Sequence, residues 1–286
     1  MDRERERTSK GELRGKEWIK RHNGRKRKRV IMGSRIDKDA EKIVAAMQAG
    51  ELRPVLSTEA PLDLETAYKI QAQVISRSGM AIAGFKAALS NTAGQKAMGV
   101  TEPVFGVLPQ SGQASAGDLI NLKKFHGPVI EAEIGYRVAT PVVRAVNPDT
   151  VLGHIGSVLP VFEIADPAFA AAETRTGADL IAVNSAAAAF VLGEATEWGS
   201  DLDNISVVMS RNNERLTEGR ATDAMGGQIK ALCWLINQVL KYGYVLEPGH
   251  LLMTGALGGP QAGLPGRYLG DYGNFGRIEF EFTNHT

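Results

Sequence analysis

The chain has 286 residues, 43% of them apolar and 23% charged, with a formal net charge of +1. This balance excludes a disordered polymer, a collagen-like repeat and a disulfide-stapled miniprotein. The single cysteine, Cys233, rules out an intramolecular disulfide and a cysteine-built zinc site, and no apolar run reaches the roughly 20 residues that span a bilayer, so a cytoplasmic chain with no membrane partner is expected.

The near-neutral total hides an asymmetry. Residues 1–31 hold 13 Lys and Arg against 5 Asp and Glu, which leaves 20 against 27 for the rest. This segment is poor in large apolar residues and is read as a disordered basic tail. A nucleic-acid-binding arm would have this composition, but so would a translated leader ahead of Met32. The leader reading is taken, and nucleic acid is not an expected partner.

From Ser34 the pattern is helical. Ser34 and Asp37 form a capping-box pattern, Ile36, Ile43, Val44 and Met47 share a face, and Gly50 stops the run. A second helix is predicted from Asp63 through Ala67, Ile70, Val74 and Ile75 to Gly79. Beyond it, short apolar runs broken by Gly, Pro and Asn predict strands at 82–89, 104–108, 129–138, 158–165, 187–192, 205–211 and 277–282. Asn212-Asn213 reads as a hairpin turn, and Asn147-Pro148 as the start of a short helix. One longer helix is predicted from Gln228 to Tyr242, with Gly243 as its stop.

Phosphate-loop, dinucleotide, zincin and nucleophile-elbow signatures are all missing. The histidines at 22, 126, 154, 250 and 285 lack ligand spacing, and the glycine-rich stretch 255–259 reads as a loop packed close to a site. The informative run is Val129-Ile130-Glu131-Ala132-Glu133-Ile134. On a strand, Glu131 and Glu133 project to one face; by spacing alone this is first the solvated face of a half-exposed strand. Glu163, inside the apolar run Val158–Ala165, is a costlier position for a charge. Three carboxylates with open positions suit a hard dication, Mg²⁺ or Mn²⁺.

Several blocks in order carry a family resemblance: Gly84-Phe85-Lys86-Ala87-Ala88-Leu89-Ser90, Gly99 through Gly106, Glu131-Ala132-Glu133, Leu159-Pro160 through Glu163, Asn184-Ser185, Phe190 through Gly193, and Leu252-Met253-Thr254-Gly255-Ala256-Leu257. Over about residues 34–282 the chain resembles the 2-keto-4-pentenoate hydratase and 4-oxalocrotonate decarboxylase branch of the fumarylacetoacetate hydrolase superfamily. The resemblance implies an α+β protein, a mixed β-roll with an N-terminal helical region. Residues 32–110 would lead into the core, and 111–286 would form the β-roll catalytic domain.

It also implies a homo-oligomer acting on a small 2-oxo acid. Glu131, Glu133 and Glu163 match the ligands of Mg²⁺ or Mn²⁺, Lys86 the active-site lysine, Ser185 the pocket wall and Thr254 the loop near the substrate carboxylate. The implied activity is hydration of a 2-hydroxy-2,4-dienoate in aromatic-compound catabolism, with decarboxylation of a 4-oxalocrotonate-type diacid, C–C hydrolysis or a non-catalytic binding role as alternatives. The chain departs from the hydratase pattern at Gln110-Ser111, where an Asp-Met pair is expected, and at Val183-Asn184, where Asp-Asn is expected and Asp179 becomes the nearest upstream acid. Gly226-Gly227-Gln228 stands where Gly-His-Pro is expected.

Overall fold

The computed structural model describes residues 34–284 other than 198 and 200. The basic tail and the leader reading attached to it lie outside the described residues, as do His22 and His285. Two helices open the fold. Helix α1 (Arg35–Ala49) buries Ala40, Ile43 and Val44, and Gly50 follows it with φ +66°. Helix α2 (Leu64–Ser78) starts where the Asp63 carboxylate accepts from Thr66 N at 2.7 Å, and closes at the left-handed Gly79.

Next come β1 (Ile82–Ala88), the short helix α3 (Thr92–Ala97), β2 (Val104–Pro109), β3 (Gln113–Ser115) and β4 (Leu119–Asn121). The two long central strands are β5 (Val129–Val138) and β6 (Ile155–Ala165), followed by α4 (Gly177–Ala182) and β7 (Ala187–Leu192). The hairpin of β8 (Ser206–Arg211) and β9 (Glu214–Arg220) turns through Asn212 and Asn213 at φ +51° and +68°, the mirror-type turn that Asn tolerates. Helix α5 (Gln228–Lys241) precedes β10 (Leu251–Met253), β11 (Gln261–Ala262), β12 (Gly266–Asp271) and β13 (Arg277–Thr283).

Among the described residues the strands form two mixed sheets. One runs β2-β1-β10-β5-β6-β7-β3 with β11 added to β5, and the other β4-β13-β12-β8-β9. Strands β1 and β10 are parallel neighbours, so segments before and after residue 110 share one sheet. One side of the larger sheet encloses a small apolar cluster of Ala83, Leu108, Leu159, Val161, Phe190, Leu251 and Met253. Its other side packs against the helices and, through Phe162 on Phe280 at 5.5 Å, against the second sheet. No helix among the described residues is long and apolar enough to cross a membrane.

Strand β2 is an edge, and side chains complete its hydrogen bonding. Phe105 N donates to Tyr68 Oη at 3.1 Å, and Phe105 O accepts from Gln71 Nε2 at 3.0 Å, both from α2. Two residues on, the Asn184 amide accepts from Val107 N at 2.7 Å and donates to Val107 O at 2.8 Å, imitating a neighbouring strand.

The short helix expected at Asn147-Pro148 is one capped turn: Asn147 Oδ1 accepts from Asp149 N and Thr150 N, Asn147 O accepts from Val151 N at 3.0 Å, and a 3₁₀ turn at Val151–His154 follows. Strands β9, β10 and β12 were beyond the sequence pattern: β9 (Glu-Arg-Leu-Thr-Glu-Gly-Arg) has one large apolar residue, and β10 is three residues long.

Strands β1 and β10 approach closely at Gly84, where an added Cβ would lie 1.9 Å from Leu251 O. A backbone atom cannot yield as a flexible side-chain tip can. Gly84→Ala is expected to lower stability by more than about 3 kcal/mol in urea denaturation, because it separates the parallel pair on which Lys86 is carried.

Candidate active site

Glu131 and Glu163 are direct cross-strand partners in the β5–β6 pair, and Glu133 follows two residues along on the same face. Lys86 enters from β1, two strands away, in register with Met253 of β10. The sheet thereby gathers onto one face four charges that are distant in sequence. Carboxylate oxygens of Glu131, Glu133 and Glu163 all lie within 4.8 Å of one another. Glu133 and Glu163 are wholly buried, Lys86 is 2% exposed, and Glu131 is half-buried. The apolar cluster around Val161 and Phe190 lies against these groups and withholds water from them.

Protein donors only partly satisfy this cluster. Lys86 Nζ stands 2.6 Å from Glu163 Oε1, a buried ion pair. Gly255 N donates to Glu133 Oε2 at 2.8 Å. Among the described residues, Glu133 Oε1 and Glu163 Oε2 meet no donor although both are buried. Leaving such atoms unmatched is costly. Three carboxylates and one ammonium also leave an excess negative charge in a dry site, and the donor set is oxygen throughout. An all-oxygen set with unmatched buried atoms fits a hard dication such as Mg²⁺ or Mn²⁺.

The ionisation equilibria reflect the same crowding. Burial, reinforced by the Glu163 charge and opposed by Lys86, pushes the Glu131 carboxyl up to about 7. Glu133 is driven well above the usual carboxylate range by burial first, then by Glu163 and Glu131, against the opposing Gly255 N–H and Lys86. For Lys86, burial lowers the pKa, but the charges of Glu163, Glu131 and Glu133 outweigh it and the net shift is upward.

Ser185 and Thr254 occupy different settings. Ser185 is buried and its Oγ donates to Phe105 O at 2.7 Å. The Cβ that Gly106 lacks would lie 3.1 Å from Ser185 Cβ and 3.3 Å from Lys86 Cε, so Ser185 and the lysine stem border the same glycine. Asn184, Ser185 and Ala186 all take positive φ, at 64°, 50° and 58°. For L-residues this costs roughly 1–2 kcal/mol each, with Asn the most tolerant, and the Asn184 and Ser185 bonds to β2 hold the turn. Thr254 is fully buried and gives its hydroxyl proton to Gln228 Oε1 at 2.7 Å. The structure brings the loop after Thr254 to Glu133 through the backbone N–H of Gly255, while the Thr254 side chain faces away.

The stretch 255–259, expected as a loop packed close to a site, reaches it through Gly255 N, whereas Ser90 and Tyr272 carried no expected role. Gly255, at φ +114°, sits against Ser90, so closely that a Cβ would lie 2.4 Å from Ser90 Cβ. Ser90 also lines a cavity of about 510 Å³ with Asn91, Gln95, Lys230 and Trp234. Tyr272 Oη lies 2.9 Å from Glu133 O and 3.1 Å from Val161 O, clasping β5 and β6 beside the carboxylates. No motif marks a single tyrosine near the C-terminal end of a chain.

Other candidate residues lie elsewhere. Asp179 accepts from Ser57 N, Ser57 Oγ and Thr176 N, and so caps α4. Gln110 and Ser111 are exposed in a 3₁₀ turn. His154 pairs with Thr140, and His250 Nδ1 accepts from Glu247 N.

A carboxyl whose folded pKa exceeds its unfolded value holds its proton more tightly when folded, so its contribution to stability is full below the unfolded value and is lost as pH rises through the folded one. For Glu131 that window runs from 4.5 to about 7. In EDTA, the melting temperature of the protein relative to a Glu131→Gln variant is expected to fall across this window, as thermal melts at successive pH values would register.

Residues 78–281 match the family model described as fumarylacetoacetate (FAA) hydrolase C-terminal. The chain is similar to a 2-keto-4-pentenoate hydratase of Paraburkholderia xenovorans (strain LB400), 28% identical over 254 residues, covering 86% of this chain and 94% of the relative. It is similar also to a 4-oxalocrotonate decarboxylase of Pseudomonas sp, 26% identical over 253 residues, covering 87% and 98%. Among solved structures, the 4-oxalocrotonate decarboxylase of Pseudomonas putida G7, complexed with magnesium and adipate, superposes with a TM-score of 0.81 at 23% identity, over 87% of this chain and 97% of that one. The match across most of the folded region establishes that this chain belongs to the fumarylacetoacetate hydrolase family.

Proposed function

We propose that this chain is a metal-dependent hydratase that adds water to a 2-hydroxy-2,4-dienoate of the 2-keto-4-pentenoate type, giving a 4-hydroxy-2-oxo acid in the breakdown of aromatic compounds. The observation that carries the reading is the buried Glu131–Glu133–Glu163 cluster beside Lys86, in a chain whose relatives include hydratases of this name.

Glu131, Glu133 and Glu163 would hold Mg²⁺ or Mn²⁺. When bound, the ion supplies positive charge opposite an enolate oxygen, as an electron sink for a 2-oxo acid. Lys86, cationic and enclosed, would offset the substrate carboxylate and give its proton to the terminal carbon of the dienol while the 2-hydroxyl proton returns to the lysine, leaving an α,β-unsaturated ketone. Water then adds across that double bond, its hydroxyl on the β-carbon and its proton on the α-carbon. The apolar residues around Val161 and Phe190 keep bulk water from the dienolate. Ser185 lines the pocket beside the lysine stem, and the Thr254–Gly255 segment borders it from β10. In this reading the chain works as a homo-oligomer, on the strength of the family resemblance.

Decarboxylation of a 4-oxalocrotonate-type diacid is the second reading. It is favoured by the exposed Gln110 and Ser111 standing where an acid able to position water is expected, and it uses the same electron sink. Incubation with Mg²⁺ and either 2-hydroxypenta-2,4-dienoate or the diacid separates the two. The expected product is 4-hydroxy-2-oxopentanoate from the dienoate, followed by chromatography. Release of CO₂ from the diacid without hydration of the dienoate would move the assignment to the decarboxylase. No turnover of either compound across a panel of 2-oxo acids would move it to a non-catalytic member.

Two variants divide the roles. Lys86→Ala is expected to lower turnover by about 100- to 10,000-fold while Mn²⁺ binding, read by titration calorimetry, persists. Glu133→Ala is expected to lose both, and normal ion binding by that variant would overturn the ligand assignment.

A further inference from the structure

Behind the site, between the larger sheet and α5, lies a buried polar knot that the proposed chemistry does not use. Its centre is Gln228, the first residue of α5 and fully buried. Every hydrogen-bonding atom of its side chain is engaged. Oε1 accepts from Thr254 Oγ1 at 2.7 Å and from Tyr136 Oη at 2.8 Å, and Nε2 donates to Ala221 O at 2.7 Å. Its backbone N–H donates to Asp203 Oδ1 at 2.7 Å, which fixes the start of the helix. Gln228 thus ties together β5, the end of β10, the 3₁₀ turn at 221–223 and α5.

The knot leads back to the carboxylates by one peptide. Thr254 is followed by Gly255, whose N–H is the donor to Glu133 Oε2. The other oxygen of Glu133 has no donor among the described residues. The orientation of this carboxylate therefore depends on where Thr254 puts the next peptide, and Gln228 holds Thr254. Tyr136 reaches the same Gln228 oxygen from β5, but no peptide of the Glu133 contact adjoins it.

We propose that Gln228 is a positioning residue for the ion site: through Thr254 it sets the Gly255 N–H that aims the Glu133 carboxylate. The proposal rests on the metal reading given above. Outer-sphere partners of this kind are typically worth 10- to 100-fold in metal affinity.

Removing one hydroxyl at a time from one acceptor supplies the test. Thr254→Val and Tyr136→Phe each remove one buried hydroxyl bonded to Gln228 Oε1, so a merely structural knot would respond alike to both. Mn²⁺ affinity is measured by electron paramagnetic resonance without substrate, alongside the melting temperature of each metal-free variant. The expected result is a loss of about tenfold in affinity for Thr254→Val and a change within about twofold for Tyr136→Phe, with both melting temperatures lowered. Gln228→Met should match or exceed the Thr254→Val loss, and combining these two should add little further, because they cut the same link. Equal losses in Thr254→Val and Tyr136→Phe, or no loss in Thr254→Val, would overturn the proposal even if Gln228→Met failed to fold. Wild-type protein that binds no Mn²⁺ would overturn the metal reading itself, and this proposal with it.

Discussion

Mutual repulsion among three carboxylates enclosed in an apolar fold is the constraint around which the rest is arranged. Glu131, Glu133 and Glu163 could each be solvated cheaply at a surface, yet pairing β5 with β6 in register brings them to one side and burial removes the water. The fold supplies one ammonium, Lys86, and one backbone donor, Gly255 N, which offset part of the strain. The remainder shows in the upward shifts of Glu131 and Glu133 and in two carboxylate oxygens without donors. A polar cluster left half-satisfied in this way marks a candidate functional site.

The scaffold meets this demand with rigidity at the margins. The open edge of β2 would be a liability in a sheet that must hold Lys86 still, and four side chains close it: Tyr68, Gln71, Asn184 and Ser185. The strained left-handed run 184–186 is tolerable because its side chains are already committed to that edge. Tyr272 does the same at the β5–β6 pair, and Gln228 behind β10. Tyr272 acts on the strands that carry the carboxylates, and the side chains on β2 act on the neighbour of the strand that carries Lys86.

Much of the site was legible in the sequence, for a definite reason. The two-residue period of a strand puts Glu131 and Glu133 together, and an acid in the middle of Val158–Ala165 is conspicuous against its neighbours. Those signals are local. That Glu163 faces Glu131, that Lys86 arrives from β1, and that Gly255 approaches Glu133 are consequences of sheet order, which no local pattern encodes; the family resemblance supplied the grouping where spacing alone favoured a solvated face. The main helices were readable from caps, period and glycine stops. Strands β9 and β12 were not, since β9 takes its conformation from β8, and β12 from β8 and β13, rather than from alternation of their own. Gln228 registered as the start of a helix and as a departure from a pattern but not for its role, because a buried glutamine is meaningful through its partners and not through its type.

The Phe105 carbonyl accepts from Gln71 on one side and from Ser185 on the other. One peptide thus couples the opening helices to the turn that borders Lys86. An evolutionary exchange of modules between relatives would have to move helix α2, strand β2 and the 184–186 turn as a single inheritance unit. A hybrid joined between them would pass on the charged residues intact while leaving the wall behind them unfastened.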